Sequence, residues 1–574
     1  MSYSVAEKPS LDVATSGKAG RFSARTSWAL MMAMNLAVLV FFWNNEWPFG
    51  NFALSACVTG AIIACLAALT GRLLFATLLA TAQVAIVAVA ASVKLQLLAM
   101  LVHAYDLFFY FQSWSTVTYL ARSFPLYTFG LFAAFLATAL LAAIVYKLDA
   151  ARVRRWQAAL ALVLFSLSAF AAHEGLGERR HMHLFFSNRF LSTYYSSWPE
   201  TLQTIWQGQI FEAANQASGP AFGPLGTCQT PHKKPHIILI HQESVIPPSL
   251  FPTIDYDRSI DPFFASHDGK QHTLRVETYG GASWLTEFSV LAGVSTYSFG
   301  SMRQFVQTFM EGKLHETIPQ VLADCGYRNV LFYPMSKNFV SNARFYESIG
   351  IKEIFDKTAQ KAPSTHERDS FYYANALTEM ERHFKASDKP LFTFIQTMSA
   401  HWPYYTTLFG GEDVKGGGPG THPELHEYLR RLSLGAKDYR WLQDELKRRF
   451  PHESFVIVNY GDHQPSATRM LLGQQERTEV EDIKLSSEGP GFLSYYSITT
   501  QNWKAPALPD IAVLDVPYLG LALLEAARLP LSDAFQERQR LRLACKGRYH
   551  ACSDDRAIPA FHRKLIDSGL MDSR

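Results

Sequence analysis

Pro235-His-Ile-Ile-Leu-Ile240, running at once into His241-Gln-Glu243-Ser244, is the stretch that decides the fold. Four consecutive branched aliphatic residues, with no polar alternation, suit a strand buried on both faces, the parallel-sheet type. Polar residues beyond the carboxyl end of such a strand occupy the position where open α/β sheets place ligand groups. Glu243 therefore stands where a metal ligand or general base is expected. The same pattern recurs twice downstream. Pro390-Leu-Phe-Thr-Phe-Ile-Gln396 runs into Thr397-Met-Ser-Ala-His401-Trp402-Pro-Tyr404, and Ser454-Phe-Val-Ile-Val-Asn459 runs into Tyr460-Gly-Asp462-His463. Helix-compatible stretches lie at 317–325, 368–384 and 424–450. This alternation predicts an α/β domain with a mainly parallel sheet covered by helices on both faces.

Between the first two strands comes Val276-Glu-Thr-Tyr-Gly280-Gly-Ala-Ser283-Trp-Leu-Thr286-Glu287-Phe. A short β-type run meets two glycines, then a serine, then a helix-compatible stretch. Glycines permit tight backbone geometry, and a helix N-terminus favours an anion. Two readings of Ser283 are open on pattern alone: a nucleophile, or a plain N-cap serine. Glu243 and Asp462 with His463 suit a divalent ion with mixed oxygen and nitrogen ligands. Such an ion would lower the pKa of the Ser283 hydroxyl and offset charge on phosphoryl oxygens. His401 suits general acid or base work at the leaving or attacking hydroxyl.

Working outward, the chain of 574 residues is too long for one ordinary domain, and its net charge of +3 without a polybasic stripe makes nucleic acid a poor partner. The first third is densely apolar. Five stretches meet the requirement of about 20 apolar residues for a membrane span: 27–44, 52–70, 73–93, 125–146 and 156–173. Lys8, Lys18, Arg21 and Arg25 precede the first, Arg72 follows the second, and Lys147, Arg152, Arg154 and Arg155 follow the fourth. The other side holds Lys94 and Arg122. This bias puts the N-terminus inside and everything after about residue 173 outside. The apolar stretch 95–112, interrupted by His103 and Asp106, reads either as an interfacial helix or as a sixth span. The expected organisation is a transmembrane domain over 1–173 with an interfacial helix near 95–112, an aromatic linker over 174–234, a catalytic domain over 235–530 and a tail over 531–574. Cys545 and Cys552 flank a short polar loop and suit a local disulfide outside the cytoplasm. A bridge between Cys228 and Cys325 is a second candidate.

With these residues assembled, the chain resembles the sulfatase/alkaline-phosphatase superfamily. More narrowly it resembles the branch of lipoteichoic acid synthases and periplasmic-glucan phosphoglycerol transferases. The matching pieces are Ile240-His-Gln-Glu243-Ser, Gly281-Ala-Ser283-Trp-Leu-Thr-Glu287-Phe, Met398-Ser-Ala-His401-Trp-Pro-Tyr and Tyr460-Gly-Asp462-His463. The resemblance implies that Glu243, Ser283, Asp462 and His463 bind one Mn2+ or Zn2+ ion, or Mg2+, with Ser283 as nucleophile. The family nucleophile is often Thr, so serine is a departure that keeps the hydroxyl chemistry; Thr286 is the fallback. Sulfatases form their nucleophile within Cys/Ser-x-Pro-x-Arg, and the segment after Ser283 has neither Pro nor Arg. The branch also has a Trp and an Arg in a segment resembling 337–346; here Val340 stands near the Trp position and the Arg is displaced to Arg344. Asn342, Arg344 and Trp402 are the candidates for substrate binding.

The function so implied is transfer of phosphoglycerol from phosphatidylglycerol to a periplasmic glycan or lipid acceptor, by a bacterial inner-membrane enzyme with its catalytic domain outside. Phosphoethanolamine transfer to lipid A or a glycan is the alternative. The few cysteines do not match the disulfide-rich catalytic domain of that branch. A non-catalytic membrane sensor or scaffold is the reading from a different class.

Overall fold

The computed structural model describes residues 22–98, 100–109, 117–118, 121–122, 124–176, 189–207, 219–223, 228–230, 232–337, 342–410, 422–476 and 485–572. Two compact units emerge. One lies within 1–93, 124–177 and 188–196, and the other within 94–123, 178–187 and 197–574.

Among the described residues, five helices are long and apolar enough to cross a membrane: α1 (Ala24–Asn45), α2 (Phe49–Thr70), α3 (Leu73–Leu98), α4 (Pro125–Leu148) and α5 (Arg155–Leu176). Large apolar side chains face outward on them, with Leu126 86% exposed and Phe129 70% exposed, a surface that water would penalise and lipid tolerates. Polar groups are kept for the turns. The Asp149 carboxylate accepts from the backbone amides of Phe75 (3.1 Å) and Ala151 (2.7 Å). The Arg72 guanidinium lies 4.2 Å over the Tyr146 ring. Glu46 accepts from the amides of Leu191 and Ser192 at the start of a helix over Phe190–Ser196, where a carboxylate satisfies orphan donors.

The expected boundaries shift in two places. The helix over Phe190–Ser196 belongs with the apolar helices, whereas the segment after α3 belongs with the α/β unit. Leu95–Leu98 extends α3, and a single helical turn covers Asp106–Phe109. Residues 100–105 between them are not helical, so the described part of 95–112 is no continuous sixth span; 110–112 lie outside the described residues.

The α/β unit holds one eight-stranded sheet in the order β4-β3-β5-β1-β6-β7-β2-β8. Its strands are β1 (His236–Gln242), β2 (His272–Arg275), β3 (Arg328–Phe332), β4 (Glu353–Phe355), β5 (Leu391–Gln396), β6 (Phe455–Gly461), β7 (Leu493–Gln501) and β8 (Val513–Asp515). Only β7 runs against the others among the described strands. The aliphatic run in β1 serves both faces. Ile237 and Leu239 enter the core on one side, Ile238 and Ile240 the core on the other, and all four are fully buried. Each such side chain contributes about 1.5–3 kcal/mol through burial. Helix α6 (Ser283–Ala292) packs on the first face. Helices α7 (Asp369–Ala386) and α8 (Pro423–Arg449) cover the second. Disulfides join Cys228 to Cys325 and Cys545 to Cys552, while Cys57 and Cys65 are free thiols.

Candidate metal centre

Strand β1 lies between β5 and β6 with all three parallel, so their carboxyl ends meet at one edge. In register, His241 pairs with Gln396 and Tyr460, and Gln242 with Gly461. The next residues along each strand, Glu243, Thr397 and Asp462, therefore emerge together. Gly461 makes this approach possible: a Cβ there would lie 1.8 Å from the Val245 carbonyl oxygen. His241 and Glu243, two residues apart, share a face of the strand.

His241, Glu243 and Asp462 are all buried and each offers a ligand atom within 4.8 Å of the others. His463 completes the ring, with Nε2 at 3.3 Å from Glu243 Oε1 and 3.4 Å from Asp462 Oδ2. Its Nδ1 lies 2.9 Å from the Gln464 carbonyl oxygen. Nδ1–H donates there, so Nε2 faces the carboxylates: protonated it donates to them, and on losing that proton it presents a lone pair to a cation. Asp462 Oδ1 accepts from the amides of Ser244 and His463, both at 2.7 Å, so the carboxylate cannot swing away. His241 Nδ1 meets the Tyr460 hydroxyl at 2.9 Å and Nε2 lies 3.2 Å from Asp462 Oδ2.

Ser283 enters from a tight turn. Gly280 (φ 70°), Gly281 (φ 158°) and Ala282 (φ 61°) all take positive φ, and the left-handed conformation costs a non-glycine residue roughly 1–2 kcal/mol. Strain of this kind clusters where a side chain is held for a purpose. The turn delivers Ser283 as the first residue of α6, with its hydroxyl donating to Glu243 Oε2 at 2.6 Å and lying 3.4 Å from His463 Nε2. The plain N-cap reading fails, since Ala282 holds the cap position. Thr286, the fallback nucleophile, is fully buried and spends its hydroxyl on the Asp462 backbone oxygen at 2.7 Å, so it is not available for attack.

Burial penalises a charged His463, but Asp462 and Glu243 outweigh that penalty and lift its imidazole to about 9. Burial would raise Glu243, yet His463, His401 and His241 hold it well below the usual carboxylate range. Two buried carboxylates are thus balanced by imidazoles alone, with no Lys or Arg bonded to them among the described residues. Buried charges of one sign call for a paired counter-charge or a metal. The donors fit a divalent cation, two carboxylates with imidazole nitrogen and a hydroxyl.

His401 lies at the rim. Its Nδ1 is 2.5 Å from the Trp402 carbonyl oxygen, its own carbonyl accepts from Arg431 at 2.7 Å, and its charge is felt at Glu243. Trp402 is 46% exposed, with its ring 5.6 Å from that of Tyr405. Arg344 is paired with Glu311 at 3.3 Å. Asn342 opens the helix Asn342–Ser348; its side chain, like Val340, lies outside the described residues. Three nearby residues carried no assignment in the sequence reading. His241 could have been found, because it shares the strand end and face of Glu243. His366, with Nε2 at 3.3 Å from His401 Nδ1, comes from a loop without pattern. Glu287, one helical turn beyond Ser283, is pushed up to about 7 by burial and needs the tertiary fold to be seen.

Residues 235–487 match the sulfatase family model, in keeping with the resemblance to the sulfatase/alkaline-phosphatase superfamily. An uncharacterised protein of Haemophilus influenzae is 22% identical over 314 residues, which is 53% of either chain. The chain thus spans about half the length of that curated relative. Among solved structures, the Streptococcus pyogenes phosphoglycerol transferase GacH, in complex with sn-glycerol-1-phosphate, is 16% identical. That likeness covers 61% of this chain and 89% of that one, with a TM-score of 0.47. The lipoteichoic acid synthase LtaP from Listeria monocytogenes is 18% identical over 57% of this chain and 77% of its own, with a TM-score of 0.39. The integral membrane lipooligosaccharide phosphoethanolamine transferase A of Neisseria meningitidis is 10% identical over 90% and 96%, with a TM-score of 0.47.

Proposed function

We propose, from the premise that residues 235–487 form a sulfatase-family domain, that this chain is a membrane-anchored phospho-headgroup transferase with Ser283 as its nucleophile. The observation that carries the proposal is the Ser283 hydroxyl, presented at a helix N-terminus and bonded at 2.6 Å to a buried carboxylate of the Glu243, Asp462, His463 cluster. Five apolar helices in the same chain fit a donor whose leaving group is a lipid. Two disulfides and the Lys and Arg bias support a domain on the periplasmic side of a bacterial inner membrane.

Glu243, Ser283, Asp462 and His463, with His241 at hand, would hold a divalent cation, which would supply positive charge to lower the hydroxyl pKa and offset charge on phosphoryl oxygens. Glu243 Oε2 receives the Ser283 proton. Ser283 Oγ attacks phosphorus, the Oγ–P bond forms, and the P–O bond to diacylglycerol breaks. His401 keeps Nδ1–H on the Trp402 carbonyl and enters the step with Nε2 also protonated, and that Nε2 proton goes to the leaving oxygen. In the second half His401 takes a proton from the acceptor hydroxyl, that oxygen attacks phosphorus, the P–Oγ bond to Ser283 breaks, and Ser283 Oγ recovers its proton from Glu243. Trp402 on the rim offers a face to the incoming group. We assign the donor as phosphatidylglycerol and the acceptor as a periplasmic glycan.

The test uses the full chain in lipid nanodiscs with Mn2+ or Zn2+, offered phosphatidylglycerol and phosphatidylethanolamine carrying different headgroup labels. Release of diacylglycerol with glycerol label on the acceptor is the expected result. Movement of the ethanolamine label would replace the donor assignment. No turnover of either lipid would end the transferase reading.

A further inference from the structure

The end of α3 from Lys94 and the segment that follows it pack within the α/β unit. Lys94 and Asp106 are both buried and form an ion pair, with Nζ at 2.9 and 2.7 Å from the two carboxylate oxygens. The Asp106 carboxylate also accepts from the His103 amide at 2.7 Å, which fixes the loop between them. That loop offers aromatic rings to residues 302–309. Tyr105 lies 5.0 Å from Phe305 and 4.6 Å from Phe309, Phe109 lies 5.2 Å from Phe305, and His103 lies 5.5 Å from Phe305. Tyr105, Phe109, Met302 and Phe305 form a buried cluster of their own. Lys94 Nζ sits 5.7 Å from the Phe305 ring, so the ion pair and the rings form one continuous contact.

The segment held in this way touches the nucleophile helix. The Trp284 indole N–H donates to the Gln304 carbonyl at 3.0 Å, and Trp284 follows Ser283 directly. Glu277 holds the approach to the segment: its carboxylate accepts from Ser289 on α6 (2.8 Å) and from the Thr296 amide (2.7 Å), and its carbonyl accepts from Arg303.

We infer that Lys94, Asp106 and Phe305 are positioning residues: they brace residues 302–309 so that Trp284, and with it the Ser283 hydroxyl, is held on Glu243. The inference rests on the transferase reading above and adds to it a dependence of the serine's placement on residues before the catalytic domain. None of the three touches the reacting atoms.

The experiment compares the full chain with Phe305→Ala, Phe305→Leu, Asp106→Asn and Lys94→Met in nanodiscs. Intact disulfides and normal membrane insertion serve as the folding control. Two reactions are followed: diacylglycerol release from lipid donor, and covalent labelling of Ser283 by a small water-soluble phosphodiester. A displacement near 1 Å costs on the order of 100-fold. Phe305→Ala, Asp106→Asn and Lys94→Met should therefore lose roughly tenfold to 100-fold in kcat, with KM for lipid within about twofold. Labelling by the small diester should slow in parallel, and Phe305→Leu should recover most of the rate. Lipid turnover that falls while small-diester labelling holds would make the segment a lipid guide and overturn the brace, as would unchanged kcat or a change in KM alone. If the wild-type chain turns over no lipid and labels no serine, the transferase reading falls by itself. The brace is then read from hydrogen exchange at the Trp284 and Phe288 amides. Faster exchange in Phe305→Ala supports it, and unchanged exchange removes it.

Discussion

Gly461→Ala tests how the site is held with a single methyl group. Gly461 ends β6 one residue before Asp462, and a Cβ there would lie 1.8 Å from the Val245 carbonyl oxygen and 2.4 Å from Ser494 Oγ. Real Cβ contacts stay beyond 3.0 Å, so strand or loop must give by about 1.2 Å. Neither can give freely. Strand β6 is hydrogen-bonded on both sides, to β1 and β7, and Val245 is buried two residues past Glu243. The forced shift separates Asp462 from Glu243, the two carboxylates that must converge. Overpacking of this kind costs about 1–3 kcal/mol of stability, and a displacement near 1 Å costs on the order of 100-fold in rate. Calorimetric titration with Mn2+ or Zn2+, thermal melting and diacylglycerol release read the three consequences. Gly219→Ala is the control, since nothing lies within 4 Å of a Cβ there. A Gly461→Ala protein that bound the cation and turned over lipid within about twofold of wild type would refute the reasoning that this backbone approach builds the site.

Four further outcomes follow from the same geometry. Ser283→Ala should lower turnover by about 10^4-fold or more while leaving cation binding measurable, because a nucleophile has no partial substitute; phosphate-ester turnover by stopped assay checks it. Thr286→Val removes the buried bond to the Asp462 carbonyl, so melting should show a loss of about 1–3 kcal/mol, with the Ser283 adduct still forming. His241→Ala should weaken cation affinity by about 10–100-fold, as loss of a ligand or its orienting partner does, read by titration. Burial raises Asp369 to about 7, above an unfolded value near 4, so the folded state binds the extra proton between those values. The Asp369 contribution to stability should therefore fall as pH rises from about 4 to 7, read as the difference in that slope between wild type and Asp369→Asn in denaturant titrations.

Most of the catalytic sheet was legible because its strands are buried on both faces. Runs such as Ile237–Ile240 and Val456–Val458 have no polar interruption, and ligand-type residues sit at their carboxyl ends. The five apolar helices were legible for the same reason, since length and composition suffice. Contacts between distant segments were not. His366 reaches His401 across 35 positions, and Phe305 meets Tyr105 across 200; no local period encodes such pairs. Within 95–112, Tyr105 packs on Phe305 and Phe309 and Asp106 pairs with Lys94, contacts that an apolar run read for its length and period does not reveal. Arg344 pairs with Glu311, a contact that sequence spacing could not show.

The most direct measurement is peptide mass spectrometry of the full chain quenched during turnover of phosphatidylglycerol in the presence of Mn2+. The account predicts a glycerol-phosphate mass on the peptide containing Ser283, absent in Ser283→Ala. A chain that transfers headgroup at full rate with that serine unmodified, or with alanine in its place, would contradict it.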